Sequence, residues 1–250
     1  MTVQNPSPTV GQLVAERPER ARVFERFGID YCCAGRKSLA TACSERGLDL
    51  SVVHAQLEAA DTAPRKTSEP DWTTEPLSRL VDHIQTVHHG FMNRELPRLT
   101  ALVRKVAGAH GNIRAELIML QDVFTEFCRE VAEHMSKEES ALFPWIRALE
   151  TGARGPSNGV PLDGPVRQMM LEHEDAGVAL AKMRELTRGF VPPNNACGTY
   201  RVMLSGLADI EADMHTHVHK ENNILFPRAL ALEASTQANI GGGSCCIRCS

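Results

Sequence analysis

The chain has 250 residues, a hydrophobic share of 42%, an aromatic share of 5% and a formal net charge of −4. This content suits a folded protein with a sizeable core, and the length allows one large domain or a small one joined to a medium one. The mildly acidic balance gives no electrostatic reason to expect nucleic acid or an anionic membrane as partner, and no apolar run is long enough to span a bilayer.

The N-terminal MTVQNPSPTVGQ has neither a basic segment nor an apolar core of the kind a signal peptide needs, so a reducing cytoplasm is the expected location. The eight cysteines are then expected as thiols, ligands or redox groups rather than structural bridges. Residues 9–60 pattern as short helices. Leu13, Val14, Val23, Phe24 and Phe27 form one apolar set interrupted by Pro18; Leu39, Ala42 and Cys43, then Val52, Val53 and Leu57, form two more. The turn Gly28–Gly35 (GIDYCCAG) lies between the first two sets. The polar, Pro-containing stretch Asp61–Thr74 reads as a linker. Four long helical patterns follow: Glu75–Ala107, which Pro97 is expected to kink or break, Asn112–Leu149, Gly164–Thr187 and Gly198–Ala234. Their connections are rich in Gly, Pro and Asn, and no strand-like alternation of useful length appears. The expected fold is all-α, a small helical N-terminal domain (1–62), a linker (63–74), an up-down four-helix bundle (75–235) and a tail (236–250).

One phrase is written twice. His134–Pro144 reads HMSKEESALFP and His217–Pro227 reads HVHKENNILFP. In each copy a His precedes a Glu by four residues, so imidazole and carboxylate share one helix face. A single such pair is ordinarily a solvated surface contact; two copies with the same Leu-Phe-Pro tail point to a metal centre. The tail itself reads as core packing plus a helix stop. Other helices offer His83, His88 and His89, and Glu172 with His173. Imidazoles with carboxylates able to bridge two cations fit a binuclear iron site better than a single tetrahedral zinc. Glu139 reads as a surface neighbour of Glu138, and His54 and His110 as surface residues. Apolar spacing through Leu77, Val81, Ile84 and Phe91 puts His88, rather than His89, on the buried stripe.

From about residue 5 to residue 232 the chain resembles the RIC (repair of iron centres) di-iron family, whose second part is a hemerythrin-like domain. The resemblance is carried by Asp30-Tyr31-Cys32-Cys33, RELPRL (Arg94–Leu99), the two repeat copies and EHEDAG (Glu172–Gly177). It implies two iron ions per chain, an oxo-bridged non-haem pair held by His89, His134, Glu138, His173, His217 and Glu221, with Glu138 and Glu221 bridging. The family motif places its helix-one ligand eight residues before Pro97, which selects His89 and leaves His88 as a packing residue. Glu130 and Glu172 are candidates to line the route to the site. The implied activity is repair of iron–sulfur proteins damaged by NO or oxidants, through NO reduction, iron donation or NO buffering; a gas-binding store or sensor without turnover is the rival. NO or O2 would be the small ligand and damaged iron–sulfur proteins the clients, with no nucleic acid and no membrane.

The family usually has a second Gly where this chain has Ala34, a position at which a positive-φ turn would disfavour alanine. Vicinal Cys32 and Cys33 cannot easily chelate one metal together but can exchange disulfides or take up NO. The resemblance links their segment to formation of a homodimer through the N-terminal domain and to gated approach to the iron. The end of the chain, GGGSCCIRCS, carries Cys245, Cys246 and Cys249 on a Gly tether, expected to act as a flexible redox arm.

Overall fold

The computed structural model describes residues 8–62, 70–152 and 160–241, with side chains to residue 236. Cys245, Cys246, Cys249 and the central part of the linker lie outside the described residues. Within them every regular element is helical, apart from one isolated antiparallel bridge between Thr9 and Ser38. They fall into two compact units, one drawn from Met1–Leu80 and Val218–Ser250, the other being Val81–His217. This division does not follow the linker: the helical residues after His217 group with the N-terminal segment.

The first unit opens with α1 (Val10–Glu16), started by a capping box in which Thr9 and Gln12 satisfy each other's backbone N–H groups. After a 3₁₀ turn at Pro18–Arg20 come α2 (Ala21–Phe27), α3 (Leu39–Glu45) and α4 (Leu50–Asp61); Ser38 and Asp49 cap the last two. Arg20 ties the turn to the end of α4 by two hydrogen bonds to Asp61, 2.9 and 2.7 Å. Ala34 has no positive φ, so the turn accepts it without backbone strain. The described end of the linker stretch is anchored: Trp72 is buried, and Arg228 donates to the carbonyls of Trp72 and Glu75, both at 2.7 Å.

The long helices follow, most of their length in the second unit, with the last of them passing into the first after His217. Leu77–His83 (α5), a π-turn at Ile84–His89 and α6 (Gly90–His110) form one rod. A second rod consists of α7 (Glu116–Lys137), a π-turn at Glu138–Leu142 and α8 (Phe143–Glu150). α9 (Asp163–Leu186) returns, and α10 (Gly198–Lys220) runs into a third π-turn, Glu221–Leu225, and α11 (Phe226–Gly241). α6 packs on α7 and α7 on α9. Arg184 on α9 pairs with Glu211 on α10. A Cβ at Gly206 of α10 would lie 2.5 Å from Leu99 of α6, so the missing side chain lets those two helices close the ring. The four long patterns thus make an up-down bundle.

Two expectations about proline are corrected. Pro97 neither breaks nor ends α6, because buried Leu96 and Leu99 beside it hold the helix on the core. The Leu-Phe-Pro tails are not helix stops. The Phe143 N–H donates to the Glu138 carbonyl and the Phe226 N–H to the Glu221 carbonyl, each spanning five residues. Pro144 and Pro227 follow directly, where the slipped ladder accommodates a residue that has no N–H, and both helices continue. Phe143 and Phe226 are buried, as their packing role requires.

Candidate metal centre

The π-turn at Ile84–His89 carries both His88 and His89 into the interior. A 3.6-residue period places His88 beneath Ile84, four residues on. The extra residue in a π-turn also brings round His89, five residues on, and both histidines are buried. They then part company. His88 turns its Nδ1 to Asp213 Oδ1 at 2.9 Å and stacks nearly parallel on the His217 ring, 5.3 Å between centroids. His89 directs its Nε2 at Glu138 Oε2, 3.3 Å away.

Glu138 is the centre of the arrangement and is fully buried. Its Oε1 lies 3.4 Å from His134 Nε2, while its Oε2 faces His89. Donor atoms of His89, Glu138 and His217 all lie within 4.8 Å of one another, and so do those of His134, Glu138 and His173. The His134 and His173 Nε2 atoms are 3.0 Å apart. Ligands bonded to one ion at about 2.0–2.2 Å sit roughly 3 Å apart when adjacent and about 4 Å when opposite, so each group has the span of a single coordination shell. Glu138 thus places one carboxylate oxygen in each group, and a buried set of imidazoles and carboxylate fits cation binding. The burial argues the same way: an ionised carboxylate taken out of water costs several kcal/mol unless cations or strong donors compensate it. Glu221, one helical turn after His217 at the head of the third π-turn, is also fully buried.

Further carboxylates hold the imidazoles. His89 Nδ1 is 2.7 Å from Glu139 Oε1, and His134 Nδ1 is 2.9 Å from Glu172 Oε2. Occupying Nδ1 fixes the ring and leaves Nε2 turned inward, the outer-shell pattern of metal-bound histidine. Glu139 is therefore no idle surface neighbour, although its side chain is 43% exposed. Burial would raise the Glu172 carboxyl, but hydrogen bonds from Lys137, Gln168 and His134 outweigh it and bring its pKa down to about 2. A cavity of about 190 Å³ has Glu130, His134, Lys137, Glu172 and His173 among its lining residues.

Cys32 and Cys33 lie in the first unit with Asp30, whose Oδ1 accepts from both cysteine backbone N–H groups. Sequence reasoning missed Asp213, although it precedes His217 by four residues as His217 precedes Glu221. It also missed Glu139 and His88 as partners, since both contacts join residues distant in the chain. His110 meets the Tyr200 ring and the Cys197 sulfur rather than water alone.

Residues 6–61 match a family model described as a domain of unknown function (ScdA_N, DUF542), and residues 77–229 match the hemerythrin HHE cation binding domain. The iron-sulfur cluster repair protein YtfE of Dickeya chrysanthemi (strain Ech1591) is 34% identical over 222 residues, 89% of this chain and 96% of its own length. Its namesakes in Citrobacter koseri (strain ATCC BAA-895) and Escherichia coli O81 (strain ED1a) are each 34% identical over 224 residues, 90% of this chain and 97% of theirs. The cation-binding model falls on the helices that carry the shared carboxylate, and the likeness runs through both domains in order: the chain belongs to the RIC family of hemerythrin-like iron–sulfur cluster repair proteins.

Proposed function

We propose that the protein repairs iron–sulfur clusters damaged by nitrosative or oxidative stress, using a non-haem di-iron centre. One observation carries the proposal: the two oxygens of buried Glu138 face two separate imidazole groups. In this reading His134 and His173 would hold one iron and His89 and His217 the other, Glu138 and Glu221 would be the carboxylates shared between them, and the pair would be of the oxo-bridged non-haem kind. Glu221 is included because it follows His217 by one turn of the same helix and repeats the His134–Glu138 spacing. When bound, such a pair supplies a binding position for NO or O2 and electrons for its reduction.

The chain's own residues set the conditions. Glu139 and Glu172 orient the imidazoles, and the apolar bundle excludes bulk water. Glu130 and Glu172 line the opening through which a diatomic ligand reaches His134 and His173. Repair proceeds by NO reduction, by iron donation to a client, or by both. The remaining parts of the proposal are a cytoplasmic location, a homodimer formed through the N-terminal domain, and thiol exchange by Cys32, Cys33, Cys245, Cys246 and Cys249. Among the described residues no helix is long and apolar enough to cross a membrane.

The test uses purified full-length protein. Metal analysis should give about two irons per chain with the charge-transfer bands of a bridged ferric pair, and Glu138→Ala should lose most of that iron. The loaded protein should restore activity to an NO-damaged iron–sulfur enzyme. Full loading of Glu138→Ala overturns the ligand assignment. NO binding with neither turnover nor iron transfer makes the protein a gas store and overturns repair.

A further inference from the structure

The two repeat copies diverge at the positions after their glutamates. Where the first has Glu139-Ser140, the second has Asn222-Asn223. In the first copy that position serves His89, through Glu139. In the second, both side chains turn to the cysteine turn. Asn223 Nδ2 donates to the carbonyls of Tyr31 at 3.2 Å and Cys32 at 3.1 Å, and Asn222 Nδ2 donates to Cys32 O at 3.4 Å. The cradle is shaped for the Asn223 amide: a Cβ at Gly11 or Gly35 would stand 2.1 or 2.3 Å from its Oδ1. Gly11 N–H also donates to Gly35 O at 2.8 Å, closing α1 over the turn. His219, one turn before Asn223 and 3.3 Å from its amide, packs edge-on against the Tyr31 ring.

The acceptor shared by both asparagines belongs to the peptide that joins Cys32 to Cys33. We propose that Asn222 and Asn223 are positioning residues that clamp this peptide to the π-turn headed by Glu221, so that the chemical state of the vicinal thiols sets how firmly Glu221 holds iron. This rests on the reading of Glu221 as a ligand. The two sulfurs stand 3.8 Å apart, against about 2.05 Å in a disulfide. Joining them closes an eight-membered ring that contains the clamped peptide, which must turn and withdraw its carbonyl from both amides.

A disulfide oxidant such as glutathione disulfide supplies the chemistry. The half-buried Cys33, as thiolate, attacks one sulfur of the oxidant, breaks its S–S bond and releases one glutathione thiolate. Cys32 then gives its proton to that thiolate and attacks the mixed disulfide, releasing the second glutathione. Two protein thiols are oxidised and one disulfide is reduced to two thiols. The clamp opens, and iron becomes easier to give up when oxidised clients need it.

The experiment follows iron loss from the loaded, full-length protein to an excess of ferrous chelator, together with the absorption of the bound pair. Asn223→Ala should release iron about tenfold faster, the effect expected when neutral hydrogen bonds holding a ligand are removed, with helix content unchanged; Asn222→Ala should show a smaller increase. Glutathione disulfide should speed release from the wild type to a similar degree, leave Cys33→Ser unaffected and add nothing to Asn223→Ala. Should Asn223→Ala fail to fold, Asn222→Ala and the oxidised wild type decide the matter. Loss rates that ignore both the variants and the oxidant overturn the clamp alone. Wild-type protein that binds no iron pair overturns the metal reading beneath it, and the clamp with it.

Discussion

Replacing His88 by leucine separates two views of the bundle. If His88 is the packing residue that the family motif leaves it, leucine should be neutral or stabilising. In the structure His88 and Asp213 are 2.9 Å apart with side chains 4% and 16% exposed. Leucine strands the carboxylate. Loss of a hydrogen bond to a charged group costs about 1.5–3 kcal/mol, and breaking a fully buried pair about 3–5 kcal/mol. The residual exposure of Asp213 and the added apolar burial of leucine place the effect near the lower end, about 2 kcal/mol. For a chain of this size that lowers Tm by roughly 4–8 °C. The measurement is thermal unfolding of iron-free protein, so that metal affinity does not enter. A double-mutant cycle with Asp213→Leu isolates the pair, and the double variant should recover most of the loss. An unchanged or raised Tm for His88→Leu alone would refute the reasoning and return His88 to the apolar stripe.

Glu139→Ala should weaken iron binding about 10–100-fold by freeing the His89 ring, while the iron-free protein unfolds almost as before because Glu139 is substantially exposed; chelator competition and thermal melts read the two effects separately. The Arg20–Asp61 pair should make the first unit sensitive to acid. The hydrogen bond from Arg20 holds the Asp61 carboxyl below its ordinary value, so its stabilisation is present above the unfolded pKa of about 3.9 and is lost as pH falls through the lower folded value. Asp61→Asn should flatten the pH dependence of unfolding below about pH 4; a dependence identical to wild type would show that this pair is not linked to folding.

Much of the molecule is legible in local spacing. His134 with Glu138 and His217 with Glu221 announce themselves because residues four apart share a helix face whatever surrounds them. The four helices follow from 3.6-residue apolar patterns and from Gly- and Pro-rich breaks, which are equally local. What stayed hidden depends on one extra residue per turn or on partners far away in the chain. A π-turn shifts register by a residue that no regular period reveals, so His89 joins Ile84 inside and Pro144 and Pro227 pass without ending a helix. Only folding brings Glu139 to His89, Glu172 to His134 and Asp213 to His88, across separations of 50, 38 and 125 residues. Sequence by itself determined which donors lie on which helices, because helix geometry is set by neighbours. The tertiary structure decided which nitrogen of His89 and of His134 faces inward and which side chain holds each ring there, because those choices are made by hydrogen bonds between elements that only packing brings together.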